Sequence, residues 1–213
     1  SKKFHNIHDF CIAKNVRKLR EGGLGIFITS NGTLDNSKKL RDWIVSEGGS
    51  DFVGAFRMHN KTFGGTGVTS DIVVIRKRVN GQKSVHAIDV SDVSGERMAE
   101  YDTGETRKVK GKEIPVIKQL SMDYNRYFIE HPENMAGEMH FAFEKGDTFR
   151  PTSKGLYPKQ NKKQEEMLAE FVRSFRAEEF GERNIELARR LAKCLSKTEN
   201  YTSTQLQAHN LSK

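Results

Sequence analysis

Two glycine pairs, Gly22-Gly23 and Gly48-Gly49, constrain the fold most, because each closes a segment of helical spacing and opens onto a short apolar run. From about His5 to Arg20 the chain carries Ile7, Phe10, Cys11, Val16 and Leu19 among Lys, Arg and Asn. That mixture predicts a helix lying on a flat surface, ended by glycine, which adopts the left-handed backbone of a helix stop without steric cost. "LGIFITS", Leu24 to Ser30, has the length and Ile content of a strand buried on both faces. "LDNSKKLRDWIVSEGG" then offers capping candidates from Asp35 to Ser37 and apolar Leu40, Trp43 and Ile44 at helical spacing, a second helix.

"DFVGAFRM" and "SDIVVIRKRV" read as two further strands, the last leaving the sheet at its charged end from Arg76. A strand-helix-strand crossover implies parallel pairing of the first two strands. The last two, joined by a loop of about ten residues that holds Phe63, are expected to be antiparallel neighbours. Residues 1–80 thus predict half of an open α/β sheet, and residues 81–213 a basic insertion with a mixed helical and hairpin extension. From Asn80 to Gly111 the chain is polar, with Asp and Gly punctuation and the basic cluster "TRKVKGK", which predicts loops. Helix is expected over "LSMDYNRYFIEHPEN", a hairpin over "EMHFAFEKGDTFRP" turning at Lys145-Gly146-Asp147, and two helices from Lys162 to about Leu195 with a break near Gly181. A frayed tail is expected after Lys197.

No run of about 20 apolar residues is present, so no membrane partner is expected, and the first residues lack the pattern of a secretory signal. A cytoplasmic location is the expectation. Cys11 and Cys194, far apart in sequence, read as plain buried thiols of a reducing compartment. The net charge of +8 favours a polyanionic partner, nucleic acid above all, although a solvated surface with surplus lysine has the same composition. Arg76, Lys77 and Arg78, with Arg107, Lys108, Lys110 and Lys112, are candidate contacts to DNA phosphate, or else solvated side chains. His5, His8 and Asp9 have spacings that share one side of a helical turn, but three such residues near an end are more often incidental, so no metal is expected. His131, before "PEN", marks a helix-ending turn.

The segment "NKTFGGTGVTSDIVVIRKR", Asn60 to Arg78, poses the functional question. A phosphate-binding loop closes with Gly-Lys-Ser/Thr at the head of a helix; "GGTGVTS" lacks the Lys and precedes a strand. A dinucleotide-binding turn fails for the same want of a helix.

Together with "HNIHDFCIAKNVRKLREGGLGIFITS", this segment resembles the C-terminal part of the catalytic domain of S-adenosylmethionine-dependent N6-adenine DNA methyltransferases, over about residues 5–78. The resemblance implies the C-terminal half of a Rossmann-like methyltransferase sheet with an antiparallel terminal hairpin, followed by an α+β extension. It implies that Phe63 stacks on an adenine flipped out of duplex DNA, within a loop in which Thr62, Gly64, Gly65 and Val68 support the base. The plainer alternative is that Phe63 plugs the hairpin core. By the same resemblance Phe10 and Cys11 border the adenosyl group of the cofactor, S-adenosylmethionine, although helix-to-sheet packing is the more ordinary role. "YFIEHPENMAGEM" is similar to segments that follow the methylase core in large methylase–helicase proteins of mobile elements.

One departure matters. The family's catalytic motif pairs two prolines, and Pro115, Pro132, Pro151 and Pro158 are all isolated here; the glycine-rich cofactor turn after the first strand is also missing. The chain is therefore expected to be a piece of a restriction-modification type DNA adenine methylase, inactive alone, whose partners are double-stranded DNA, the N-terminal remainder of the methylase and a helicase region of the same polypeptide. The rival expectation is a non-catalytic DNA-binding or assembly module.

Overall fold

The computed structural model describes residues 4, 6–63, 67–143, 151–158 and 163–175, with positions 180, 181, 186, 189–191, 193 and 194. Helix α1 (Ile7–Lys18) precedes strand β1 (Leu24–Ser30), a short α2 (Gly32–Asp35) and α3 (Lys38–Val45), then β2 (Ser50–Met58) and β3 (Ser70–Lys77). The described chain is mixed α/β, with sheets that are antiparallel throughout.

The sheet order is β1-β3-β2, and β3 is antiparallel to both neighbours. The β2–β3 pairing is the one expected, but β1 and β2 do not pair with each other. They run in the same direction with β3 inserted between them. The physical reason is burial: Asp71 to Ile75 of β3 are shielded on both faces, which the middle position supplies, whereas β1 sits at an edge with Ile28 42% exposed. β1 is therefore only partly buried, unlike the strand shielded on both faces that its apolar run predicts.

Register assigns the faces. Ile72 and Val74 of β3, Phe56 of β2 and Ile26 of β1 meet Leu168, Phe171 and Phe175 from α5 (Gln164–Arg173) and the residues after it, with Phe56 and Phe171 rings 5.5 Å apart. On the opposite face Ala55, Val73 and Ile75 belong to one core with Ile12, Ala13 and Val16 of α1 and Leu40 and Ile44 of α3. The apolar stripe of α1 differs from the expected one: Ile7, Phe10 and Cys11 face solvent. Cys194 is exposed as well, so neither thiol is buried.

Residues 93–125, expected as loops followed by helix, form a long antiparallel hairpin, β4 (Val93–Val109) and β5 (Lys112–Asn125). Lys110 and Gly111, both at positive φ (52° and 80°), make its two-residue turn. This backbone matches the twist of the flanking strands. Helix is confined to α4 (Arg126–Glu130), followed by a 3-10 turn at Pro132–Asn134. A hairpin forms with its first strand, β6 (Gly137–Phe143), where expected, but its second strand, β7 (Pro151–Pro158), begins at the residue where the expected hairpin ends, and the expected turn at Lys145-Gly146-Asp147 lies outside the described residues. Gly181, at φ 82°, marks the predicted break, and helical backbone recurs at 186, 189–191, 193 and 194. The tail after Lys197 is outside the described residues.

Candidate functional site

β1 and β2 finish at the same end of the sheet, and the loop carrying Phe63 leaves β2 at His59 and enters β3 after Thr69 at that end. Both arms of the loop are tied down. Asn60 N–H donates to the Leu156 carbonyl (2.8 Å), and Leu156 N–H donates to Thr69 Oγ1 (2.7 Å), so β7 holds the loop from both sides. Asn31 N–H donates to the Thr69 carbonyl (3.1 Å), joining the loop to the end of β1. The Thr62 hydroxyl is buried, 2.7 Å from the His59 carbonyl and 3.0 Å from Gln164 Oε1, which also accepts from His59 N–H at 3.0 Å. Nδ1 of His59 accepts from Lys61 N–H (3.2 Å). Burial of this imidazole holds its pKa below the ordinary value, the nearby Lys61 adds to the effect, and a backbone hydrogen bond opposes it.

Between these ties Phe63 is half-buried, packed against the margin of the core, and Val68 is 49% exposed. Gly64 and Gly65 lie outside the described residues. The start of α1 reaches the same end of the sheet, because Ser37, just beyond α2, donates to Asp9 at 3.1 and 3.2 Å. Phe10 (40% exposed) and Cys11 therefore sit at that end but on the solvent side of the helix, with Lys14 Nζ 6.0 Å from the Phe10 ring centre. His8 pairs with Asp9 at 3.2 Å, and His5 is outside the described residues; no group of metal-binding side chains forms among the described residues.

The basic candidates divide. Arg76 and Lys77 lie at the opposite end of β3, about 20 and 24 Å from Ser70 at about 3.4 Å per strand residue. There Lys77 Nζ donates to the Gly48 carbonyl (2.6 Å), Arg76 lies over the Phe180 ring (5.4 Å), and Arg78 binds Asp51 (2.6 Å). These three side chains join parts of the fold away from the Phe63 loop. Arg107, Lys108, Lys110 and Lys112 are exposed at the tip of the β4–β5 hairpin.

Beneath the two feet of the loop lies a feature that the sequence reading missed. Arg57, two residues before His59, and Asp71, two residues after Thr69, are cross-strand partners, both fully buried. Nε and Nη2 of Arg57 donate to the two Asp71 oxygens at 2.8 Å each, and Nη2 also donates to Asp35 Oδ1 at 2.8 Å. The guanidinium is 4.2 Å from the Phe128 ring centre. Asp35 Oδ1 further accepts the backbone N–H of Asn125, whose side chain donates to the carbonyls of Leu34 and Val90. Burial works against the Arg57 charge, yet Asp71 and Asp35 hold its pKa above the ordinary value. Burial pushes the Asp71 carboxyl up, Arg57 pulls against that, and Asp35 adds to the rise. One cation thus locks the ends of β2 and β3, the segment after β1 and the entry to α4 into one rigid base under the loop. The signal available in sequence was a lone Arg inside the apolar run "DFVGAFRM" and an Asp opening "DIVVI".

No family model, no curated protein and no solved structure matches the chain.

Proposed function

We propose that residues 1–80 supply the target-base loop and the second half of the sheet of an S-adenosylmethionine-dependent N6-adenine DNA methyltransferase, with residues 81–213 as an extension that braces it. The observation carrying this reading is the loop from His59 to Thr69: anchored at Asn60, Thr62 and Thr69, set over the buried Arg57–Asp71 pair, and holding Phe63 half-buried at the strand ends. Methylating an adenine amino group requires the base to leave the helix stack. An aromatic ring that takes over the lost stacking is worth about 1–3 kcal/mol per base. A ring gripped on one side by core and presented on the other has the rigidity for that task, because little side-chain entropy remains to be lost when the base arrives.

The cofactor would lie towards α1. Phe10 and Cys11 fit one wall of an adenosyl pocket, being apolar or polarisable, accessible, and at the same end of the sheet as the loop. When bound, S-adenosylmethionine supplies an electrophilic methyl group. The paired-proline motif and the glycine-rich turn are not in this sequence, so the residues here position the base and do not activate its amine. The reading accordingly assigns methyl transfer to the chain joined with the other half of the methylase, acting on double-stranded DNA in the cytoplasm, with a helicase region as a further partner. A DNA-binding or assembly module without chemistry is the second reading, favoured by the exposed basic residues of the β4–β5 tip.

The test uses the intact methylase in a methyl-transfer assay on duplex DNA. Phe63→Ala lowers activity by more than Phe63→Trp, since the larger ring still stacks. Wild-type activity in both variants rules the stacking role out.

A further inference from the structure

The β4–β5 hairpin is an arm. Met122, opposite Arg97, is buried at its base, and Val109 lies twelve residues beyond Arg97, a reach of about 40 Å at about 3.4 Å per residue. Residues 105–115 are all exposed. Pairing sorts the tip into two unlike faces. Arg107 stands opposite Ile114, and Val109 opposite Lys112, so these four share one face with two cations and two aliphatic side chains, while the exposed Glu105, two residues before Arg107, lies further from the tip. Lys108 stands opposite Glu113 on the other face, where the charges offset one another. Lys110 sits in the turn itself.

We infer that this arm is a β-ribbon that enters a groove of duplex DNA through the face bearing Arg107, Val109, Lys112 and Ile114, with Lys110 leading. The major groove, about 12 Å wide, admits a two-stranded ribbon. Two strands about 4.8 Å apart with side chains on one edge match that width. The cations meet phosphates on the groove walls, and Val109 and Ile114 face the base edges, where the thymine methyl is the apolar feature on offer. The polymer being duplex DNA rests on the function proposed above; the arm's role does not depend on stacking by Phe63.

The experiment measures binding of the full chain to a labelled 30-base-pair duplex of mixed sequence by fluorescence anisotropy, between 50 and 200 mM salt. Arg107→Gln/Lys110→Gln/Lys112→Gln weakens binding more than about tenfold near 0.1 M salt and lowers the slope of log affinity against log salt by about 2 to 3, as expected for about three lost phosphate contacts. Lys108→Gln/Glu113→Gln, which leaves the net charge unchanged, keeps both affinity and slope, as does Arg107→Lys/Lys112→Arg. Equal loss in the two glutamine variants overturns the assignment of the face. Wild-type binding by the triple variant, or tighter binding of single-stranded RNA than of duplex, overturns the arm's role. Phe63→Ala separates the two proposals: it leaves the salt slope unchanged, so a methylation defect there with an inert arm sinks only the arm, and the reverse sinks only the stacking.

Discussion

Arg57 and Asp71 face each other in register on β2 and β3, and each carboxylate oxygen accepts one hydrogen bond of 2.8 Å from the guanidinium. No water reaches either side chain, so the pair compensates a desolvation that would otherwise expel both charges from the core. Removing the cation alone leaves Asp71 and Asp35 buried with the same charge and no counterion. Arg57→Met is expected to cost about 3–5 kcal/mol of stability, read from urea unfolding midpoints. A loss below about 1 kcal/mol would mean that the two acids are relieved by some other means.

Asn125 makes a second prediction that is independent of charge. Its amide donates to Leu34 (3.0 Å) and Val90 (2.9 Å), and its oxygen accepts from Tyr127 N–H (3.1 Å) as the cap of α4. Asn125→Ala strands two buried carbonyls and one N–H, and is expected to destabilise the protein by about 2–4 kcal/mol, given about 1–3 kcal/mol for each buried group left unpaired and partial relaxation. Asn125→Asp should be no better, since a carboxylate cannot donate and would stand near Asp35. Thermal unfolding of the two variants side by side checks the ordering.

What was legible in the sequence follows from where periodicity exists. Glycine pairs and apolar runs located α1, β1, α3, β2 and β3 within a few residues, because β2 and most of β3 are buried on both faces as continuous apolar runs and the helices end at glycine turns, although the buried stripe of α1 is not the expected one. The tip of the β4–β5 arm is wet on both faces, so no apolar alternation could mark it, and its polar composition reads as loop. At the base of the arm Met122 and Tyr124 do alternate with exposed Ser121 and Asp123, a strand signal that the helical reading of "LSMDYN" overrode. Sheet order was out of reach for another reason: whether β3 flanks β2 or slips between β2 and β1 is decided by contacts across 40 or more residues. The partners of Arg57, 14 and 22 residues away, were hidden in the same manner.

Acidification tests the loop. His59 is held neutral by burial, with Nδ1 accepting from Lys61, so its folded-state pKa lies below the unfolded value of about 6.5. A depressed histidine means that the unfolded chain binds the extra proton first. Its contribution to stability is complete above about pH 6.5 and is lost as pH falls from there through the depressed pKa. His59→Gln removes this component, so the fall in urea midpoint between pH 7.5 and 5.5 should be smaller in the variant than in wild type. Parallel pH profiles would show that the imidazole is as free to protonate in the fold as outside it. Because His59 forms one foot of the Phe63 loop and its Nδ1 accepts from Lys61 N–H, the protection factor of that N–H, measured against the intrinsic exchange rate at each pH, should fall over the same interval.

Gly54 supplies the most local prediction. A strand interior ordinarily favours a β-branched residue over glycine, yet a Cβ at this position would lie 2.6 Å from Phe175 Cζ and 3.1 Å from Phe171 Cζ. The two phenyl rings pack edge to face at 5.2 Å and fill the notch that the glycine leaves in β2. Gly54→Ala is therefore expected to destabilise by about 1–3 kcal/mol despite alanine's lower backbone entropy cost, because the rings must leave their rotamers or the strand must shift. Phe175→Leu, which withdraws the nearer ring, should cost stability in wild type but recover part of the loss in the Gly54→Ala background. Residues in direct contact couple by about 0.5–3 kcal/mol in such a double-mutant cycle, whereas strictly additive effects would mean that the Phe175 ring, just beyond α5, is not seated against Gly54.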